Sequence, residues 1–320
     1  MSDSPSDARA ASQTVPSPET QAEPGVTLGL AAPTSTAPAH TRPPPQPDRP
    51  QTWHYGLVAQ WWAEFSEVQP TELAFYQGCI MRFGQPALDL ACGTGRLLIP
   101  LLQAGLDVDG CDLSEDMLAH CRAKATQAGL RTALYAQPMH ALGLPRRYRT
   151  IFICDSFGIG GQRQQDAEAL RRCYDALEPG GALVFSHYLP YVATPWWPYW
   201  LPEQRPHLPM PWPELTEPRL IADGTALQLQ ARLVDLDPLE QRSTQQIHAW
   251  SWRDGQVVAE EEYLLTSSQY FLHELELLLT QAGFGEITVS AGYTDEAVTA
   301  AHAFIVYTAR KSALERQERT

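Results

Sequence analysis

Between Ala87 and Ser186 short apolar runs alternate with segments of helical period, and that alternation leaves few folds open to this chain. Ala87–Leu90, Val108–Asp112, about Thr132–Ala136, Ile151–Cys154 and Ala182–Ser186 read as strands. Gly95–Gln103, Glu115–Gln127 and about Gln165–Leu177 read as the helices between them, with Glu178–Gly181 as a turn. Strands that alternate with helices must pair in parallel, so the expected class is α/β with a doubly wound, mostly parallel sheet. A helix over Tyr270–Ala282, stopped by Gly283, and strands over Glu286–Val289 and Ala303–Thr308 complete it.

The flanks differ in composition. Eleven prolines fall in the first fifty positions, too many for a segment that buries apolar surface, so residues 1–51 are expected to form a disordered Pro-rich tail. Residues 52–320 then form one domain. It opens with a helix whose apolar face carries Trp61, Trp62 and Phe65, and a second helix over Thr71–Phe83. From about 190 to 266 the core pattern is interrupted. Leu227, Leu229, Ala231 and Leu233 alternate with polar residues, Ser243–Trp252 forms a second strand, and Asp254-Gly255 is a hairpin turn into a third from Val257 to about Leu265. This reads as an antiparallel β lid inserted into the core.

The segment with most chemical content is Asp89-Leu90-Ala91-Cys92-Gly93-Thr94-Gly95-Arg96, between the first strand and its helix. Small residues there let the backbone turn tightly and come close to a ligand. Asp112 ends the next strand, 17 residues beyond Gly95, where a carboxylate can accept both hydroxyls of a ribose; Ser114 follows as a helix cap. Together these describe a nucleoside site. The runs ALDLACGTGR, GCDLSEDML and LEPGGALVF resemble three motifs of the class I S-adenosylmethionine-dependent methyltransferases of small-molecule type, over about Ala87–His187 and again over the last helix and strands.

That resemblance implies a Rossmann-like fold, S-adenosyl-L-methionine as cofactor, and transfer of a methyl group to a small-molecule N or O nucleophile by in-line displacement. It places Asp89, Ala91, Cys92, Gly93 and Gly95 beneath the methionine and ribose, with Asp112 on the ribose. Leu113 and Met117 would flank the adenine, Gln137 to Met139 would lie at its edge, and Asp155, Ser156 and Phe157 would face the methionine and the acceptor. Two positions depart from the family pattern. Ala91 stands where a glycine is usual, so its backbone is expected to avoid the left-handed region. Gln137 stands where an aspartate is common, and its carbonyl would accept from the adenine amine.

A dinucleotide-dependent oxidoreductase is the enzyme alternative, but its fingerprint requires a third glycine where this chain has Leu98. Tyr307 and Lys311 have the YxxxK spacing of some dehydrogenases, yet fall on the final strand. A cofactor-binding module without turnover is the non-enzyme alternative. If the acceptor must lose a proton, His187, after the fifth strand, is the first choice of base and Tyr55 the next, with Tyr188 and Tyr191 behind them. Arg205 could meet a substrate carboxylate. The nine tryptophans all lie outside the parallel-sheet segments, and His248, Trp250 and Trp252 share one face of a lid strand, directed at the cleft or at a partner subunit.

A formal net charge of -14 with only two lysines opposes nucleic acid as a partner. No apolar run is long enough for a membrane span, the first residues lack the basic region and apolar run expected of a signal peptide, and the six cysteines show no CxxC pair. The expected setting is the cytoplasm, with reduced thiols, no metal, no membrane contact, a small-molecule methyl acceptor, and a homodimer paired through the exposed lid edge.

Overall fold

The computed structural model describes residues 53–191 and 195–313, so the Pro-rich tail expected over residues 1–51 lies outside it. α1 (Gly56–Phe65) and α2 (Pro70–Phe83) lead into the core. β1 (Ala87–Leu90), α3 (Leu98–Gln103), β2 (Val108–Asp112), α4 (Glu115–Gln127), β3 (Leu134–Ala136), β4 (Tyr148–Ile153), α5 (Arg163–Ala176) and β5 (Leu177–Tyr188) follow. The lid strands are β6 (Arg219–Leu220), β7 (Ala226–Asp237), β8 (Arg242–Arg253) and β9 (Gln256–Ser268), after which α6 (Leu272–Ala282), β10 (Gly285–Ala291) and β11 (Phe304–Arg310) return to the core.

The main sheet has the order β10-β11-β5-β4-β1-β2-β3. β1 to β5 are parallel, while β11 runs antiparallel to both β5 and β10. The chain winds outward from β1 in one direction and from β4 in the other. The crevice beyond the carboxyl ends of β1 and β4 is therefore the switch point at which open α/β sheets bind ligands.

Each face of the sheet buries its own cluster. Tyr76 and Ile80 of α2, Leu98 and Leu101 of α3 and Leu118 of α4 cover one face, against Ala87, Val108, Phe152 and Val184. Leu170 and Cys173 of α5 and Leu275 and Leu279 of α6 cover the other, against Leu88, Leu90, Ile151, Leu183 and Phe185. Strand side chains alternate between faces, so β5 sends Ala182 and Val184 to the α2 side and Leu183 and Phe185 to the α6 side.

Several segments differ from the sequence reading for local reasons. Gly95 to Leu97 form turns and α3 begins only at Leu98, because the loop spends these residues reversing direction; Pro100 falls in the first helical turn, where its missing N–H costs nothing. Glu178–Gly181, expected as a turn, continues β5, and the irregularity there appears as a register shift against Tyr148 and Thr150. The lid has four strands, since the dipeptide Arg219-Leu220 adds an edge too short to register as a pattern.

Asp254 and Gly255 turn the β8–β9 hairpin with φ of 51° and 72°, the positive pair that a two-residue hairpin favours. One lid face, carrying Leu229, Ile247, Ala249, Tyr263 and Leu265, packs on Val58, Leu57 and Trp62 of α1. α1 also meets α4, so it is a wedge between lid and core. His248, Trp250 and Trp252 occupy the opposite face, away from α1. There His248 lies on Trp250 with ring centroids 3.8 Å apart and Arg232 lies over Trp212. The six cysteines are free thiols, and among the described residues no helix is long and apolar enough to cross a membrane.

Candidate active site

The loop after β1 is built by backbone conformation. Ala91, Gly93 and Gly95 all have positive φ, of 65°, 54° and 84°. The expectation that Ala91 avoids the left-handed region is therefore corrected. Two bonds explain how the strained position is held: the N–H groups of Ala91 and Cys92 both donate to the Cys111 carbonyl, at 2.7 and 3.0 Å, which folds the loop over β2. A Cβ placed on Gly93 would meet only the Met117 Cε, at 3.8 Å, so the space above this residue is open to a ligand. On Gly95 it would strike Cys121 Sγ at 2.8 Å, so that glycine serves the packing of the loop against α4.

Asp112 closes this cradle. Its Oδ2 accepts the Gly93 N–H at 2.8 Å and its Oδ1 accepts the Ser114 N–H at 2.8 Å, while Ser114 Oγ caps α4 by accepting from Met117. Each carboxylate oxygen keeps a further lone pair, enough for a ribose diol. Burial raises the Asp112 carboxyl above its ordinary range, and backbone donors from Ser114, Gly93 and Leu113 oppose the rise. Asp89 lies under the loop, 2% exposed, where burial pushes its carboxyl up to about 8, against the opposing pull of Arg96.

Beside the cradle, at the carboxyl ends of β4 and β5, lies a polar cluster in which Asp155 and Arg96 were expected from the sequence and Glu72, Cys154, Ser186 and Tyr293 were not. Glu72 of α2 is 3% exposed and pairs with Arg96 of the glycine loop. Its Oε1 accepts from Cys154 Sγ at 2.9 Å and from the Tyr293 hydroxyl at 3.3 Å, and Arg96 also donates to Cys154 Sγ at 3.2 Å. Next along β4, Asp155 has a φ of 55°. Ser186 clamps it from β5: the Ser186 hydroxyl accepts the Asp155 N–H at 2.9 Å and donates to Asp155 Oδ1 at 2.5 Å. The Tyr76 hydroxyl closes the network on Ser186 Oγ at 3.4 Å. Asp155 is exposed to the crevice, yet surrounding protein crowds it enough to raise its carboxyl. Burial likewise pushes up the Cys154 thiol and the Tyr293 phenol. Glu72, Cys154 and Asp155 have the spacing of a cation site, but the Arg96 guanidinium already supplies the positive charge to Glu72 and Cys154.

The remaining expected residues divide. Met117 is buried beside Gly93 and Leu113 is exposed, on the side where an adenine would lie. Cys92 contributes its backbone only, since its side chain joins the core cluster under α3. Gln137 Oε1 accepts the Gly143 N–H at 2.8 Å and so closes its own loop, which leaves that oxygen partly committed. Met139 packs on the core, and Ser156 Oγ donates to the Cys154 carbonyl at 2.9 Å. Phe157 turns away from the crevice onto Phe185 and Tyr270.

His187 lies within β5 and not beyond it. Alternation sends it to the α6 face, opposite Ser186, where it is 8% exposed with Nε2 3.1 Å from the Tyr270 carbonyl. Burial lowers it to about 4, against the pull of that carbonyl. Tyr55, at the start of α1, packs on Tyr263 with centroids 4.8 Å apart. Tyr191 stacks on Phe271, and Arg205 donates to the Trp200 carbonyl at 2.9 Å. The YxxxK pair is structural: the Tyr307 hydroxyl donates to the Leu272 carbonyl, and Lys311 Nζ donates to the carbonyls of Tyr174 and Leu177.

A seven-stranded sheet with one antiparallel strand inserted beside β5, a glycine cradle after β1 and an acid at the end of β2 define the class I S-adenosylmethionine-dependent methyltransferase fold. Residues 87–181 match a family described as a methyltransferase domain. The match covers the strand–helix core that holds the glycine cradle, and the open space over Gly93 and the remaining acceptor capacity of Asp112 fit a nucleoside.

Among curated relatives, a ubiquinone biosynthesis O-methyltransferase from Azoarcus sp. (strain BH72) is 29% identical over 138 residues, 41% of this chain and 58% of that protein. A demethylmenaquinone methyltransferase from Lactiplantibacillus plantarum is 38% identical over 101 residues, 30% of this chain and 42% of that one. These alignments span less than two thirds of each relative. Among solved structures, an S-adenosylmethionine-dependent methyltransferase from Clostridium acetobutylicum aligns with a TM-score of 0.62 at 18% identity, over 79% of this chain and 97% of the other. A sugar N-methyltransferase from Streptoalloteichus aligns with a TM-score of 0.61 at 17% identity, over 89% and 100%. At such identities the structures establish a shared fold.

Proposed function

We propose that this protein transfers the methyl group of S-adenosylmethionine to a nitrogen or oxygen nucleophile of a small molecule. The observation that carries the reading is the bond from Gly93 N–H to Asp112 Oδ2, which joins the two halves of a nucleoside cradle at the switch point of the sheet. The similarity to a ubiquinone biosynthesis O-methyltransferase and to a sugar N-methyltransferase supports a small acceptor. An acidic chain with two lysines supports the same choice over nucleic acid.

The bound cofactor supplies a sulfonium-activated methyl carbon, so the chain has to orient the two reactants and exclude water. Asp112 and the Gly93 loop orient the nucleoside end. Glu72 fixes the Arg96 guanidinium beside the loop, and Ser186 fixes Asp155 at the mouth of β4, so the groups nearest the reaction are held before ligands arrive. Leu98, wholly buried, fills the position where a dinucleotide enzyme needs a glycine.

Calorimetric titration with S-adenosylhomocysteine and with NAD tests the reading, followed by methyl transfer to a panel of amines, phenols and carboxylates. Binding of the first nucleoside alone and turnover with a panel member are expected. Binding of NAD alone would overturn it.

A further inference from the structure

We infer that the methyl acceptor is an aliphatic amine, bound as its ammonium by Asp155 Oδ2 with the ring of Tyr188 beside it. The inference rests on the methyltransferase reading and narrows its nucleophile. Its starting point is the strained backbone of Asp155: a residue other than glycine held at a φ of 55° points to function when its surroundings enforce it. Ser186 is that enforcement. One hydroxyl accepts from the Asp155 backbone and donates to Asp155 Oδ1, so the carboxylate cannot swing and Oδ2 is left toward the crevice. The Cys154 thiol lies 3.6 Å from Oδ2, but its single proton has a nearer acceptor in Glu72 Oε1 at 2.9 Å, so Oδ2 keeps acceptor capacity for a ligand.

A row of aromatic rings lies on the same side of the sheet as Ser186. Alternation along β5 places Tyr188 on the same side as Ser186, and the Tyr188 ring is 58% exposed. It lies against Phe304, at 4.7 Å between centroids, and Phe304 lies against Tyr293, at 5.0 Å; Tyr293 in turn reaches Glu72 and Cys154 through its hydroxyl. A fixed carboxylate oxygen on the same side of the sheet as an exposed ring selects a cation on a hydrocarbon body. A phenol or carboxylate acceptor would instead have to lose or bury negative charge next to Asp155 and Glu72. In the reaction the ammonium N–H bond breaks and its proton passes to Asp155 Oδ2. The nitrogen pair then forms the new bond to the methyl carbon, while the carbon–sulfur bond breaks with its pair left on sulfur. The product is the methylated ammonium and the neutral thioether.

The test compares an isosteric pair, cyclohexylammonium and cyclohexanol, titrated at about pH 7 into protein saturated with S-adenosylhomocysteine. The wild type is expected to prefer the cation roughly tenfold or more, the worth of one charge-assisted bond. Asp155→Asn should erase that preference while S-adenosylhomocysteine affinity stays within about threefold. Asparagine tolerates a positive φ and keeps an oxygen for Ser186, so this variant keeps its fold. Tyr188→Ala should weaken the preference without touching the clamp. Equal binding of the two probes by the wild type would overturn the inference. So would an Asp155→Asn protein that retains the preference but loses S-adenosylhomocysteine, because the carboxylate would then belong to the cofactor. Failure of the wild type to bind S-adenosylhomocysteine at all is a different result, and it would remove the methyltransferase reading itself.

Discussion

The Gly93 amide donates to Asp112 Oδ2 across a 2.8 Å hydrogen bond, so the carboxylate proposed to hold the cofactor ribose also holds the loop proposed to hold its methionine. Removing it should damage both. Asp112→Ala leaves the Gly93 and Ser114 amides without partners and deletes the ribose acceptors. S-adenosylhomocysteine affinity, measured by calorimetry, is expected to fall roughly 10- to 100-fold, with Asp112→Asn intermediate because it keeps one acceptor oxygen. An unchanged dissociation constant in Asp112→Ala would take this residue out of the site.

Ala91 offers a test with the opposite sign. Its φ of 65° costs an L-residue about 1–2 kcal/mol, which glycine avoids at the expense of about 0.5–1 kcal/mol of unfolded-chain entropy. Ala91→Gly should thus gain up to about 1 kcal/mol of stability, read as a rise in the denaturant midpoint without a change in slope. Ala91→Val should lose stability, since a branched side chain makes the same φ worse. A Gly variant that melts earlier than wild type would refute the strain argument.

The Glu72–Arg96 pair lies in the crevice with side-chain exposures of 4% and 24%. Glu72→Gln would leave the guanidinium half buried beside Cys154 with one neutral oxygen in place of a carboxylate. Breaking a buried pair from one side typically costs about 3–5 kcal/mol, and the partial exposure of Arg96 brings the expectation down to about 2 kcal/mol. Chemical denaturation of Glu72→Gln, and of Glu72→Gln with Arg96→Gln, checks it: the double variant should lose less than the two single variants together.

Much of the core was readable because its signals are local. β1, β2 and α4 have the bounds their apolar patterns imply, and the glycine loop and Asp112 are adjacent elements of one motif. Most of the polar cluster was not readable for the converse reason. Glu72 is one acid on an amphipathic helix, and only the packing of α2 over the carboxyl ends of β4 and β5 brings it to Arg96, Cys154 and Tyr293, the last 221 positions away. His187 illustrates a third case. The strand was legible, but its true end and parity were not, and a single position decides whether Ser186 or His187 faces the crevice. Alternation from Leu183 and Phe185, both plainly core-like, was the signal that would have assigned His187 to the far face and drawn attention to Ser186.

That assignment has a consequence for acid stability. An unfolded histidine titrates near 6.5, whereas burial against Tyr270 lowers His187 to about 4. Between those values the unfolded chain takes up a proton that the folded protein refuses. The stability contributed by the neutral ring is therefore complete above about pH 6.5 and is lost as pH falls toward about 4, with an upper bound of about 3 kcal/mol. Asp89 acts in the other direction, because its carboxyl is raised to about 8 and its ionisation on the way up in pH weakens the fold. A difference curve isolates the histidine: the unfolding free energy of wild type minus that of His187→Gln, from urea titrations between about pH 4.5 and 7.5, should shrink steadily as pH falls. Glutamine can still donate to the Tyr270 carbonyl, so the variant should fold. Its methyl-transfer rate at saturating ligands should stay within about threefold of wild type, because His187 faces away from the crevice. A flat difference curve together with a rate loss of about a hundredfold would return His187 to the role of base and overturn its placement.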